Sequence, residues 1–231
     1  MRYQTVVFDM DGTLLDTLDD LADSTNAALR DCGYPERSRE EVRRFVGNGV
    51  HLLIERAVPA GTDEAAIERC FVLFKEYYGK LMCCKTRPYE GILPLLEALH
   101  KNGVQCAVVS NKYDGAVKQL SDAHFGAWMD VAIGERAGVR RKPAPDSVLE
   151  ALRFLGAYAK TALYIGDSDV DVQTAHNAGL PCAGVTWGFR DRCVLEEAGA
   201  DFLVDTPEQL LNIVMGLDGG DFPLNEYGEK R

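Results

Sequence analysis

From Ile92 onward the chain alternates helix and strand patterns joined by short connections, several of which carry glycine, and this restricts the fold more than any other feature. The periodicity predicts helix Ile92–Lys101 before a strand at Val104–Val109, and helix Gly115–Ala123 before one near Val131–Ile133. Helix Asp146–Leu155 then leads to strand Ala162–Ile165, and helix Asp169–Ala178 to strand Cys182–Val185. A last helix at Cys193–Ala198 precedes a short strand at Phe202–Val204. Such a pattern predicts an α/β chain with a Rossmann-like parallel sheet wrapped by helices, which binds ligands at the carboxyl ends of its strands.

The N-terminal third reads differently. Thr5–Phe8 is a short buried strand, and residues 16–85 are entirely helical in pattern. Leu18, Leu21, Ala22, Ala28, Leu29 and Cys32 share one stripe that Gly33 can stop. Ser38-Arg39-Glu40-Glu41 is a capping box opening a helix with Val42, Phe45 and Val46 inward. Gly47-Asn48-Gly49 breaks that helix, Val50–Ala57 starts another, and Asp63 to about Met82 is a longer one. The expected organisation is a core of residues 1–15 and 86–215, a helical insertion at 16–85 after the first strand, and a loosely attached tail at 216–231.

Directly after Val6-Val7-Phe8 comes Asp9-Met10-Asp11-Gly12-Thr13. A strand puts residues i and i+2 on one face, so both carboxylates can emerge together where it ends. Two adjacent acids are costly unless a cation lies between them or one keeps a proton, which suggests metal-dependent chemistry. An acidic turn closing a strand is the plainer alternative.

Three more signals fall at carboxyl ends of predicted strands or at a helix start. They are Ser110-Asn111, Arg141-Lys142-Pro143, and Gly166-Asp167-Ser168-Asp169-Val170-Asp171. Each has a bland account. Ser110-Asn111 also reads as a helix N-cap, Lys142 as a solvated lysine, and Asp169 or Asp171 as acids favouring a helix N-terminus. Together with Asp9 and Asp11 they gather five acids, a hydroxyl, an amide and a lysine around one sheet edge.

Composition narrows the partners. Across 231 residues the formal net charge is −11, which argues against nucleic acid or an anionic membrane surface. A phosphate-binding site on such a chain must supply its own local positive charge. No segment approaches the ~18 apolar residues of a membrane helix, and the N-terminus has no long apolar signal region. Seven cysteines without Cys-x-x-Cys or Cys/His spacing indicate neither disulfides nor zinc, so the expected location is a reducing cytoplasm.

The ordered set resembles the haloacid dehalogenase superfamily of phosphotransferases over nearly the whole chain. Asp9-Met10-Asp11-Gly12-Thr13 matches its first motif, Ser110 the second, Lys142 the third, and Gly166-Asp167-Ser168 with Asp171 the fourth. The helical insertion looks like that family's small cap domain. Phe8–Asp20, Val46-Gly47-Asn48-Gly49, Ala198-Gly199-Ala200-Asp201 and Asp205–Leu210 are most similar to phosphoglycolate phosphatases.

The resemblance implies Asp9 as nucleophile forming an aspartyl-phosphate, and Asp11 as general acid and then base. It implies Mg²⁺ held by Asp9, the Asp11 backbone carbonyl and Asp167, with Asp171 supporting the metal shell or positioning Lys142. Gly12, Thr13, Ser110, Asn111 and Lys142 would contact the phosphoryl oxygens. Gly47-Asn48-Gly49 would be a cap loop meeting the substrate's far end, unless it is only a helix break. The implied activity is hydrolysis of a small phosphate monoester, with 2-phosphoglycolate the leading candidate. A sugar-phosphate mutase, an inorganic pyrophosphatase or a nucleotide phosphatase would share these motifs, and a binding module without activity would share the scaffold. Asp11 disfavours a phosphonate hydrolase or a dehalogenase, neither of which needs that acid.

Overall fold

The computed structural model describes residues 1–217 of the chain. A six-stranded sheet is built from β1 (Thr5–Phe8), β4 (Gln105–Tyr113), β5 (Val131–Glu135), β6 (Ala162–Gly166), β7 (Cys182–Val185) and β8 (Phe202–Val204). Its order is β5-β4-β1-β6-β7-β8, and every pairing is parallel. The chain leaves β1, fills the β4 and β5 side, then returns to lay β6 against the other edge of β1. That reversal opens a crevice at the carboxyl end of β1, which is where such sheets bind ligands.

Alternation along β1 feeds two cores. Val6 and Phe8 pack with α5 (Ile92–Lys101) and α10 (Pro207–Met215), while Val7 packs with α7 (Asp146–Leu155) and α8 (Asp169–Asn177). A strand buried on both faces reads as a continuous apolar run, which is why Val6-Val7-Phe8 is so plain in the sequence.

Four helices lie between β1 and the rest of the sheet: α1 (Leu18–Asp31), α2 (Arg39–Phe45), α3 (Val50–Ala57) and α4 (Glu64–Leu81). They share an apolar core of their own, centred on Leu21, Leu29, Leu53, Ile54, Phe74 and Tyr78. The capping box at Ser38 forms as expected, and Asp63 caps α4 by accepting from Ala66 N–H. The two crossings into and out of this unit, β2 (Leu15–Asp16) and β3 (Arg87–Pro88), pair as a short antiparallel ribbon, Leu15 with Pro88 and Asp16 with Arg87, which the sequence pattern does not announce. Behind it, the buried Asp20 carboxylate accepts from Lys85 and Thr86 N–H and fixes the returning chain.

Two other expectations need adjustment. β4 does not stop at Val109: it runs through Ser110, Asn111 and Lys112 with a register shift before Tyr113 pairs with Glu135. The N-cap of α6 (Asp114–His124) is therefore Tyr113, and Ser110 and Asn111 are not its cap. Helix α9 (Arg192–Ala198) joins β7 to β8, and the additional helix α10 closes the core after β8. No helix among the described residues is long and apolar enough to cross a membrane. The tail expected from Gly216 lies, beyond Leu217, outside the described residues.

Candidate active site

Asp9 is the first residue beyond β1 and is buried, its N–H bonded to the Ile165 carbonyl at 2.8 Å. Asp167 follows β6, the neighbouring strand, so adjacent strand ends bring the two acids together. With Asp171 on the first turn of α8 they form a buried trio whose carboxylate oxygens lie within 4.8 Å of one another. Burial and the charge of Asp171 hold the Asp9 carboxyl well above the usual carboxylate range. The same two causes push Asp167 up to about 7.

Each acid of the trio has a different set of partners. Asp171 Oδ1 accepts from Lys142 Nζ at 2.7 Å and Tyr164 Oη at 3.0 Å, while Oδ2 accepts from Ser168 N at 3.1 Å and Ser168 Oγ at 2.6 Å. With four donors its lone pairs are taken, so Asp171 orients Lys142. Asp167 accepts from Thr13 Oγ1 at 3.2 Å and Phe189 N at 2.6 Å. Asp9 Oδ1 lies 2.8 Å from Lys142 Nζ, yet no hydrogen bond is aligned on it. A buried oxygen left in that condition, beside two more carboxylates, fits a cation-binding site.

Gly12 and Gly188 enclose Asp167. A Cβ on Gly12, whose φ is +90°, would lie 2.3 Å from Asp167 Oδ2, and one on Gly188 would lie 2.3 Å from Asp167 Cβ. Gly12 and Thr13 thus pack behind Asp167 and are not among the residues lining the chamber. The hydroxyl expected to meet phosphate is instead committed to Asp167.

Lys142 is buried and reaches Asp9, Asp171 and Tyr164 Oη, the last at 3.2 Å. Burial alone would lower its pKa, but Asp171 and Asp9 outweigh that and raise it. Asn111 fixes the lysine's backbone: its Oδ1 accepts from Lys142 N at 2.8 Å and its Nδ2 donates to Lys142 O at 3.1 Å. The same amide donates to Gly47 O in the helical unit at 3.3 Å.

Asp11 stands apart from the trio. Thr17 Oγ1 donates to it at 2.7 Å, and Lys112 Nζ pairs with it at 3.0 Å. Lys112 is fully buried and also donates to Tyr78 Oη at 2.8 Å, from α4. Burial pushes the Tyr78 hydroxyl up to about 12, so it stays protonated. Lys112 lies outside the sequence expectation, although it follows Ser110 by two on an extended segment and so can share its face.

These groups line a small chamber between the sheet edge and the helical unit, with Ser110, Leu21, Val50 and Leu53 on its walls. Gly47 and Gly49 reach the chamber, whereas Asn48 does not line it and its side chain accepts from Arg56 Nη1 at 3.2 Å. Around the chamber the four carboxylates of Asp9, Asp11, Asp167 and Asp171 face the three cations of Lys112, Lys142 and Arg190. One divalent cation would turn that balance positive and suited to an anion.

The family model for haloacid dehalogenase-like hydrolases matches residues 6–185, most of the chain. The chain belongs to the haloacid dehalogenase-like hydrolases. A phosphoglycolate phosphatase of Mesorhizobium japonicum is 37% identical over 204 residues, covering 85% of this chain and 88% of that one. A second, from Aquifex aeolicus, is 31% identical and covers 91% of this chain and 96% of its own. The crystal structure of a predicted phosphoglycolate phosphatase from Haemophilus somnus superposes with a TM-score of 0.86 at 31% identity, covering 92% of this chain and 98% of that one. The chain is a phosphatase of this family, a phosphoric monoester hydrolase that acts on a small-molecule phosphate.

Proposed function

We propose that the chain is a Mg²⁺-dependent phosphatase for 2-phosphoglycolate that works through an aspartyl-phosphate on Asp9. The observation that carries this reading is the unaligned, buried Asp9 oxygen beside Lys142 at the carboxyl end of β1. Asp9 attacks phosphorus and the ester oxygen leaves, taking the proton that Asp11 delivers. Asp11 then accepts a proton from the water that attacks the phosphoenzyme, releasing phosphate and regenerating Asp9. Thr17 and Lys112 hold the Asp11 carboxylate in place for both transfers.

Lys142 and Ser110 bear on the transferring oxygens, where charge develops and positioning is most of the catalysis, while the Asn111 amide, taken up by Lys142 and Gly47, holds Lys142 in place. Mg²⁺ would be held by Asp9 and Asp167, with the Asp11 carbonyl, and would supply charge neutralisation at the phosphoryl group. The helical unit acts as a closing cap, joined to the core through the Leu15–Asp16 and Arg87–Pro88 ribbon.

Metal loading has a pH signature. Because Asp167 titrates near 7 in the folded protein against an ordinary 3.8, the folded state holds a proton that the unfolded state releases between those values. Stability of the metal-free protein therefore falls as pH rises through that window. A bound cation replaces the proton, so Mg²⁺ raises the melting temperature by several degrees at pH 8 and little at pH 5. Parallel melts with EDTA and with Mg²⁺ check this. An identical Mg²⁺ effect at both pH values contradicts it.

Initial rates test the substrate. kcat/KM for phosphoglycolate is expected to exceed that for hexose phosphates, nucleotides and pyrophosphate by at least about tenfold. A lead for any of these rivals, or isomerisation of a sugar phosphate without phosphate release, overturns the assignment.

A further inference from the structure

Arg190 lies in the loop after β7, at the same sheet edge as the catalytic groups, and is among the residues that line the chamber. Its neighbours explain its position. Nη1 donates to Arg43 O at 3.1 Å and Nη2 donates to Val46 O, both carbonyls at the carboxyl end of α2. Helix ends leave such carbonyls unpaired, and a cation there is favoured. Arg43 answers in the other direction with an ion pair to Asp191 at 3.0 Å, so the two arginines fasten the helical unit to the core. Gly47 makes room for this contact, since a Cβ there would lie 3.1 Å from Arg190 Nη2.

What sets Arg190 apart is its unspent capacity. Lys142 donates to Asp171 and Tyr164 and lies against the Asp9 carboxylate, and Lys112 is committed to Asp11 and Tyr78. Arg190 has two partners, both neutral carbonyls, and pairs with no carboxylate among the described residues. A guanidinium has five N–H donors, so three remain for a further partner, and a carboxylate is the partner a guanidinium pairs with best.

We infer that Arg190 binds the carboxylate of the substrate while it fastens the helical unit, and so selects phosphate esters of a two-carbon hydroxy acid. The inference rests on the phosphoglycolate reading above and names the residue that would enforce it. No residue of the helical unit offers the carboxylate a comparable cation in the chamber, and the anchor comes instead from the core.

The test compares phosphoglycolate with ethyl phosphate, which has a methyl group where the carboxylate would be, in wild type, Arg190→Gln and Arg190→Lys. Arg190→Gln removes the fastening contacts as well and so slows both substrates, but it should lower kcat/KM for phosphoglycolate at least about tenfold more than for ethyl phosphate, the excess appearing mainly in KM. Arg190→Lys keeps the charge and should recover part of the loss, and it carries the comparison if the Gln variant does not fold. Retained ethyl phosphate turnover shows an intact site. Equal losses on both substrates overturn the inference, leaving Arg190 as a fastener or a phosphate contact. A wild-type enzyme with no preference for phosphoglycolate over ethyl phosphate overturns the substrate reading and the Arg190 assignment with it.

Discussion

Asp9→Asn should remove turnover by about 10⁵-fold or more while leaving the protein folded. The amide keeps the size of the carboxylate and an oxygen that can face a cation, but it cannot attack phosphorus. Asp9 is also a buried member of three clustered acids, and burial together with the charge of Asp171 raises its pKa, so a neutral amide there removes an unfavourable charge from the metal-free protein. The expected pattern is therefore lost activity with unchanged or slightly higher stability in EDTA. Steady-state rates and a melt in EDTA check both halves. An active Asp9→Asn enzyme would sink the covalent route.

Lys142→Met should damage both stability and rate. The ammonium is buried between Asp9 at 2.8 Å and Asp171 at 2.7 Å, so deletion leaves two buried carboxylates facing one another. Breaking such an arrangement costs about 3–5 kcal/mol, and losing a charge aimed at the phosphoryl group costs about 10²–10³ in rate. The sign with pH follows from the raised lysine pKa: its contribution is complete at neutral pH and fades only in strong alkali. In the variant the freed acids can take protons, so the stability deficit should be larger at pH 8 than at pH 5. Urea titrations at the two values measure it, and a deficit independent of pH contradicts the account.

Much of this site is legible in the sequence because the chemistry sits where strands end. Val6-Val7-Phe8 before Asp9, and Ala162–Ile165 before Gly166-Asp167, place two acids at neighbouring strand ends once the alternation of strand and helix is recognised. The helical insertion is equally plain, because its stripes have a period of 3.6 and its caps form at Ser38 and Asp63.

Other features depend on packing that no local pattern encodes. Lys112 looks like one more charge after a strand, yet the continuation of β4 buries it against Asp11 and Tyr78. Tyr164 reads as an apolar strand residue, and only the neighbouring β6–α8 turn turns its hydroxyl to account beside Lys142. Arg190 had a signal that goes unused in a motif reading: Gly188-Phe189-Arg190 also follows a strand end. The Thr13 contact depends on packing in the same way, since its hydroxyl meets Asp167 across 154 residues of sequence.

The central claim is that the phosphoryl group passes through Asp9, and trapping it there is the most direct measurement. Asp11→Asn should slow turnover about 10²–10⁴-fold while still allowing Asp9 to be phosphorylated. Mixing that variant with phosphoglycolate and Mg²⁺ and quenching with borohydride reduces an acyl phosphate to the alcohol, which converts aspartate to homoserine. Peptide mass analysis should find homoserine at position 9 only. Homoserine at any other aspartate, or none under conditions where phosphate is released, would contradict the account.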